Sequence, residues 1–372
     1  MITLPENDGL EVSKLASVFS DTTNSYKFYW FLSILDSLQE QGNAKIPLND
    51  LALRMIANVW YPLDYFKLSF GKQDGFKKIS TLVTSKISID NSVNSPSLLK
   101  QINAKLSEKD LQLLSLEVRE LLRWVPFRFI RPYFTAETRG LPDSQVNSTL
   151  VELANKHFKD RPENVIYRFV EDAIELNTVW VEYFQKHQGI LRGFIYWHLI
   201  KFLQKNNPNT IGLSEKIMKP TQRDLKQANV FWKEYIKETP DLRCIYSKQA
   251  ITLQNVSLDH FLPWSFVAHD LLWNIIPTPK NINSAKSNTL PSIELYVDEF
   301  IQMQYNGFKF HVTKENFKII EDYNSLFSTS SEFLASLSLE DFRENMTKHL
   351  LPQMQTARNM GFSYPFVYMG KI

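Results

Sequence analysis

Apolar positions along this chain fall in dense blocks at helical spacing, separated by short polar clusters, and only a few brief stretches alternate. Thr22-Thr23-Asn24-Ser25 supplies capping residues, and the run from Tyr26 to Leu35 is then apolar almost all round, which predicts a buried helix. Asn49-Asp50 opens a second helix over 51–65, residues 69–75 read as a polar loop, and 95–106 and 108–124 read as two further helices. Val125-Pro126-Phe127-Arg128-Phe129-Ile130-Arg131-Pro132-Tyr133-Phe134 breaks the pattern, with two prolines bracketing an extended basic and aromatic run. It reads either as an arm meeting nucleic acid by stacking and phosphate contact or as a linker whose aromatics pack on a helical core. The second reading is preferred. Residues 135–148 are polar and turn-rich and read as a linker or mobile loop.

Residues 165–170 predict a short strand, 172–186 and 190–205 two helices, and Asn206-Asn207-Pro208-Asn209 a stop. His198 stands among Tyr196, Trp197 and Leu199 and reads as a core histidine. Residues 222–237 form an amphipathic helical pattern, and 293–305, 314–323 and 339–360 are helical again. The tail 361–372 is aromatic, suited to docking on the body or on a partner. These patterns predict a mainly α protein with a short ββα unit inserted between helices. The expected division is 1–134 as an N-terminal helical domain, 135–241 as a central helical region, 242–291 as the inserted unit and 292–372 as a C-terminal helical region.

Composition agrees with a folded core: 44% of the 372 residues are hydrophobic, with 26 Phe, 15 Tyr and 8 Trp. No stretch approaches the roughly 18 apolar residues of a membrane span. The first residues carry neither a basic nor an apolar leader pattern, so a secretory signal is not expected and the predicted location is cytoplasmic. One cysteine cannot build a disulfide framework. The net charge of +2 is unevenly spread, with twelve Lys/Arg against seven Asp/Glu between Ile200 and Ser292. That excess is the sign phosphate binding needs, although its size is modest.

The candidate chemistry lies in the inserted unit. Arg243-Cys244-Ile245-Tyr246 is short and β-prone, Ser247-Lys248-Gln249 reads as a turn, and Val256-Ser257-Leu258 as a second strand. Asp259 and His260 follow at the strand end; adjacent strand residues face opposite ways, so the strand must end or twist there for both to serve one site. A helix is predicted to begin near Asn283 and to stop before Pro291. Asp259 offers a carboxylate and Asn283 an amide oxygen, hard donors that suit Mg²⁺ or Mn²⁺. His260 is a candidate general base, since histidine's ordinary pKa of about 6.5 leaves neutral imidazole available near pH 7. Lys286 lies three residues after Asn283, on the same helix face. Asn281 competes with Asn283, but the following Ala285-Lys286-Ser287 favours Asn283. His269, beside Asp270, reads as a solvated residue on a short helix over 265–273.

The spacing from Asp259-His260 to Asn274, Asn283 and Lys286 resembles the HNH endonuclease family, a ββα-metal fold, over about fifty residues from Leu242 to Pro291. It resembles both the HNH domain of the CRISPR RNA-guided nuclease and stand-alone bacterial HNH restriction and defence nucleases. The resemblance implies one Mg²⁺ (or Mn²⁺) on Asp259 and Asn283, with His260 as base. It further implies Asn274 as an orienting residue, Lys286 as a phosphate contact, and products with 5′-phosphate and 3′-hydroxyl ends. Many relatives carry two Cys-x-x-Cys pairs on a structural zinc. Here that position reads Cys244-Ile245-Tyr246-Ser247, so no cysteine-ligated zinc is expected and the flanking helices must hold the unit. The expected partner is DNA, with RNA left open, together with a homodimer or a partner defence protein, and no membrane. The expected function is a DNA endonuclease in bacterial restriction or phage defence. The alternatives are a nucleic-acid-binding module without turnover, or an RNase. No second nuclease site or Walker A loop is evident, which argues against an RNA-guided effector.

Overall fold

A computed structural model of the chain describes residues 3–72, 74–89, 95–218 and 223–370. The protein is mainly helical, with two small antiparallel sheets. It divides into two compact units, one of residues 1–208 with 216–219, the other of 209–215 with 220–372.

The first unit is built around the helix Tyr26–Gln41, whose run from Phe28 to Leu35 is buried throughout. Having no polar stripe, this helix must be surrounded, and the helices Leu48–Trp60, Val125–Ile130 and Thr178–Asn206 pack on it. It ends at Gly42, whose φ of 68° is the left-handed cap that costs a glycine nothing. The core is aromatic: Phe31 meets Phe129 and Phe184 at 5.3 and 5.2 Å between ring centroids, and Trp30 meets Tyr167 at 6.2 Å.

Four expectations in this unit are corrected. Residues 125–134 are not extended but form the helix Val125–Ile130 and the 3-10 turn Arg131–Phe134. Each proline opens a helical turn, where its missing N–H would have had no partner anyway. The aromatics of this run pack inward, with Phe129, Tyr133 and Phe134 all buried. Residues 135–148 are no linker: Thr135–Thr138 is helical and the helix Asp143–Asp160 starts within the stretch. The predicted helix over 172–186 begins instead with a strand. Glu171 adopts a φ of 54° and turns the chain back, so that β3 (Ala173–Leu176) pairs with β2 (Tyr167–Val170) and, on its other edge, with β1 (Lys45–Pro47). The two helices expected beyond it are one, kinked where His187 leaves helical geometry at φ −115°. His198 is half-buried against Phe19 and Phe194.

The second unit contains the ββα segment. Its flanking helices Lys226–Glu238, Ile293–Thr313 and Leu339–Asn359 enclose a core with Phe231, Trp232, Phe261, Ile275, Phe300 and Phe342 at its centre. The tail docks on this unit: Leu290 N–H donates to Ser363 O at 2.9 Å and Phe366 N–H to Leu290 O at 2.7 Å.

Candidate active site

The hairpin differs from the predicted one. β4 (Val256–His260) pairs antiparallel with β5 (Ile275–Pro279), setting Asp259 opposite Ile276 and His260 opposite Ile275. Two prolines in β5 had masked it. In a two-stranded sheet every strand has a free edge, so a residue without an N–H is tolerated there. Arg243–Tyr246 makes no strand, only a single bridge from Arg243 to Ala250. The loop around Cys244 is closed by backbone bonds of 2.9 Å from Cys244 N–H to Gln249 O, from Lys248 N–H to Cys244 O and from Ile251 N–H to Leu242 O. Cys244 itself is buried and unpaired with any other cysteine. The helix of the unit, Lys280–Lys286, starts three residues earlier than expected, directly after Pro279.

Asn274 is fully buried and holds the chain just past His260. Its side chain accepts from Leu262 N–H at 2.8 Å and donates to Leu262 O at 2.9 Å, while its carbonyl accepts from Phe261 N–H at 2.8 Å. The end of β4 is thereby tied to the start of β5.

Asp259 is 2% exposed, and each carboxylate oxygen has a donor: Lys286 Nζ lies 3.0 Å from Oδ1, and Tyr246 donates its hydroxyl to Oδ2 at 3.0 Å. Lys286 is fully buried and also donates to the backbone carbonyl of His260 at 2.7 Å. Burial, and next the charge of Asp259, hold the Tyr246 phenol well above its ordinary pKa, so Tyr246 remains a donor. The Lys286 ammonium, expected at a phosphate, is therefore committed here to Asp259.

The His260 ring is 5% exposed, and its Nε2 lies 2.8 Å from Asp270 Oδ1. Burial alone would push the Asp270 carboxyl up; the hydrogen bond and charge of His260, the Asp224 N–H and Arg223 outweigh it and hold the carboxyl below its ordinary pKa. An ionised carboxylate can only accept, so Nε2 carries a proton, and in the neutral imidazole Nδ1 is the nitrogen with the free lone pair. Among the described residues no protein group bonds to that Nδ1. The predicted helix over 265–273 stops at Val267, where Ala268 turns left-handed at φ 57°, and this bend delivers Asp270 to the histidine. His269 is half-buried, with its ring 5.6 Å from Trp273.

Asn283 lies half-buried on the helix face turned toward β4, donating its amide to Ser257 Oγ at 2.8 Å and to Leu258 O at 2.9 Å. Those bonds fix the rotamer and leave Oδ1 as a spare acceptor. Asn281 is exposed. No group of three His, Cys, Asp or Glu side chains with metal-holding geometry occurs among the described residues. A carboxylate and an amide oxygen are nevertheless a donor set that fits a hard divalent cation, which takes its remaining ligands from water and phosphate. Because an ammonium already sits on Asp259 Oδ1, a cation binding there must share or displace that contact.

Two residues of this constellation, Tyr246 and Asp270, were not singled out by sequence reasoning. Asp270 carries a signal in the sequence, a carboxylate in the loop between the histidine and Asn274. Tyr246 had none, since it reaches Asp259 only once the Cys244 loop has closed.

Residues 244–292 match the family model described as HNH endonuclease, and this span contains Asp259, His260, Asp270, Asn274, Asn283 and Lys286. No curated protein and no solved structure matches the chain. HNH nucleases act on nucleic acid and generally use divalent metal ions, and a single cysteine excludes a cysteine zinc site. The 244–292 segment is an HNH endonuclease unit set within a mainly helical chain.

Proposed function

We propose that the protein is a metal-dependent endonuclease that hydrolyses DNA phosphodiester bonds, cutting one strand per site. The observation that carries this reading is the His260–Asp270 contact, which leaves Nδ1 as the basic nitrogen next to a strand end bearing the Asp259 carboxylate. Asp259 and the Asn283 amide oxygen would hold the divalent cation, which supplies charge stabilisation at the phosphate when bound. His260 Nδ1 takes a proton from water as the water oxygen attacks phosphorus; the bond to the 3′ oxygen breaks, that oxygen keeps the electron pair and takes a proton from solvent, and 5′-phosphate and 3′-hydroxyl ends result. Asp270 holds the imidazole in the productive tautomer and steadies the imidazolium that forms. Asn274 fixes the backbone on which His260 rides. A place in bacterial restriction or phage defence rests on analogy with the stand-alone nucleases that the unit resembles.

The test is cleavage of supercoiled plasmid and of a matched RNA with Mg²⁺, Mn²⁺ or EDTA, comparing wild type with His260→Ala. Metal-dependent nicking of the plasmid that falls by about 10²–10⁴-fold in the variant is the expected result. Plasmid binding without cleavage under any metal would favour a binding module, and cleavage confined to RNA would make the protein an RNase.

A further inference from the structure

The basic and aromatic run at 125–134, with its neighbours Arg123, Trp124 and Arg139, contributes to a second feature, remote in chemistry from the HNH unit. Within the first unit a cavity of ≈ 940 Å³ is lined by Lys27, Arg128, Arg131 and Arg139, with Asp21 and Asp143 as the acidic residues among the described ones that line it. That volume lies within the roughly 300–1,000 Å³ typical of sites for small organic ligands.

The cations are placed by the fold. Lys27, in the first turn of the central helix, donates to Val18 O at 3.0 Å and Asp21 O at 2.9 Å. Arg128 donates through Nη2 to Asp143 Oδ1 at 2.6 Å, whereas its Nη1 is buried without a hydrogen-bond partner. Arg131 is half-buried and has no carboxylate within 4 Å among the described residues. Burial pulls the Lys27 pKa down; Asp21 opposes this, and the nearby charges of Arg131 and Arg128 add to it. Four cationic side chains thus line a concavity that offers two carboxylates, one of them already bonded to Arg128. Holding like charges together half out of water costs free energy that an anion between them would return.

The same cavity presents a ring. Trp124 lines it, stays 37% exposed, and has the guanidinium groups of Arg123 and Arg128 each 5.3 Å from its centroid. A large, partly exposed aromatic beside a guanidinium that keeps one unpartnered nitrogen suits a ligand with a flat base at one end and phosphate at the other. A nucleic-acid strand would need a succession of stacking platforms along a groove; here the second aromatic residue of the lining, Tyr26, is half-buried edge-on against Phe76 with its hydroxyl accepting from Gly75 N–H, which leaves Trp124 as the exposed platform.

We propose that this cavity binds a nucleotide, its phosphates held by Lys27, Arg128 and Arg131 and its base stacked on Trp124. The test uses the full chain and a fluorescent N-methylanthraniloyl ADP, displaced in turn by ADP, inorganic pyrophosphate, adenosine and a 5′-phosphorylated oligothymidylate. The expected result is saturable binding that ADP displaces better than pyrophosphate, and pyrophosphate better than adenosine. Arg131→Gln, which breaks no ion pair, should weaken binding roughly tenfold or more at unchanged melting temperature. Trp124→Leu should weaken ADP while leaving pyrophosphate unaffected. The proposal is overturned if the probe does not saturate, if Arg131→Gln binds like wild type, or if pyrophosphate matches ADP. It is also overturned if the oligothymidylate displaces the probe better than ADP and loses that advantage in Arg131→Gln, which would reassign the cavity to single-stranded nucleic acid.

Discussion

Each unit of this protein buries an aspartate, and the two are satisfied in opposite ways. In the first unit Asp74 is 8% exposed and, among the described residues, accepts from neutral donors: Ser25 N–H at 3.1 Å, Ser25 Oγ at 2.5 Å and Phe76 N–H at 3.1 Å. These donors lie at the starts of the helices Tyr26–Gln41 and Phe76–Thr84, so Asp74 acts as a clasp between two helix N-termini. In the second unit Asp259 is held by an ammonium and a phenol, and both it and Lys286 are out of water. A carboxylate that serves architecture can be satisfied by backbone and hydroxyl groups. One that faces a full positive charge has a geometry in which one cation can be exchanged for another. The comparison therefore separates a structural acid from a candidate metal ligand without reference to conservation.

Removing the cation should expose the difference most sharply. Lys286→Met would leave Asp259 buried without its counter-charge, and breaking such a pair costs about 3–5 kcal/mol. Chemical denaturation of the second unit reads this out. The double variant Asp259→Asn with Lys286→Met should recover most of the loss, since it buries no charge. Millimolar Mg²⁺ should stabilise Lys286→Met more than wild type, because the cation then meets an unoccupied carboxylate. A Lys286→Met protein that melts like wild type and ignores Mg²⁺ would remove the distinction between the two aspartates. Next in size is Asn274→Ala. It strands the buried N–H and C=O of Leu262, at about 1–3 kcal/mol for each polar group left without a partner. Unchanged stability in the same denaturation experiment would mean that the hairpin does not depend on this clasp.

Asp270→Asn tests chemistry in place of stability. Losing an outer partner of a site residue typically costs about 10–100-fold in activity. Under the proposed mechanism the plasmid nicking rate should fall by that much, with the melting temperature nearly unchanged. Because Asp270 acts only through His260, the double variant with His260→Ala should be no slower than His260→Ala alone. An additive loss in the double variant would show that Asp270 has a role independent of the imidazole.

What the sequence disclosed follows from how each residue finds its partner. Asp259, His260, Asn274, Asn283 and Lys286 stand at fixed offsets within a segment of 28 residues, so spacing alone marks them. Asn283 and Lys286 share a helix face, which periodicity predicts, and the buried central helix was legible from its unbroken apolar run. Tyr246 reaches Asp259 through a loop closed by backbone bonds that no side-chain pattern encodes. The strand β5 was hidden because Ile275–Pro279 carries two prolines, which argue against a strand unless its edge position is known. The reverse error occurred at 125–134, where prolines read as breaks are helix openers. In both places proline's local meaning depends on which backbone N–H groups would otherwise have been bonded, and that is tertiary information.

The smallest expected effect concerns Asp74. Burial pushes its carboxyl above the ordinary value, and the Ser25 hydroxyl with the Phe76 and Ser25 N–H groups pulls it back only in part. The folded protein therefore holds this proton more tightly than the unfolded chain, where an aspartate titrates near 3.9. Below that pH both states are protonated and no penalty exists. As pH rises from there toward the raised folded value, the unfolded chain gives up a proton that the native state still holds, and stability falls until the native carboxyl ionises too and the curve levels off. Asp74→Asn cannot titrate, so its melting temperature relative to wild type should drift upward between pH 4 and pH 7. A drift in the opposite direction would mean that the three donors more than offset burial and that ionised Asp74 stabilises the fold. The contrast between the two units would then rest on the ammonium of Lys286 alone.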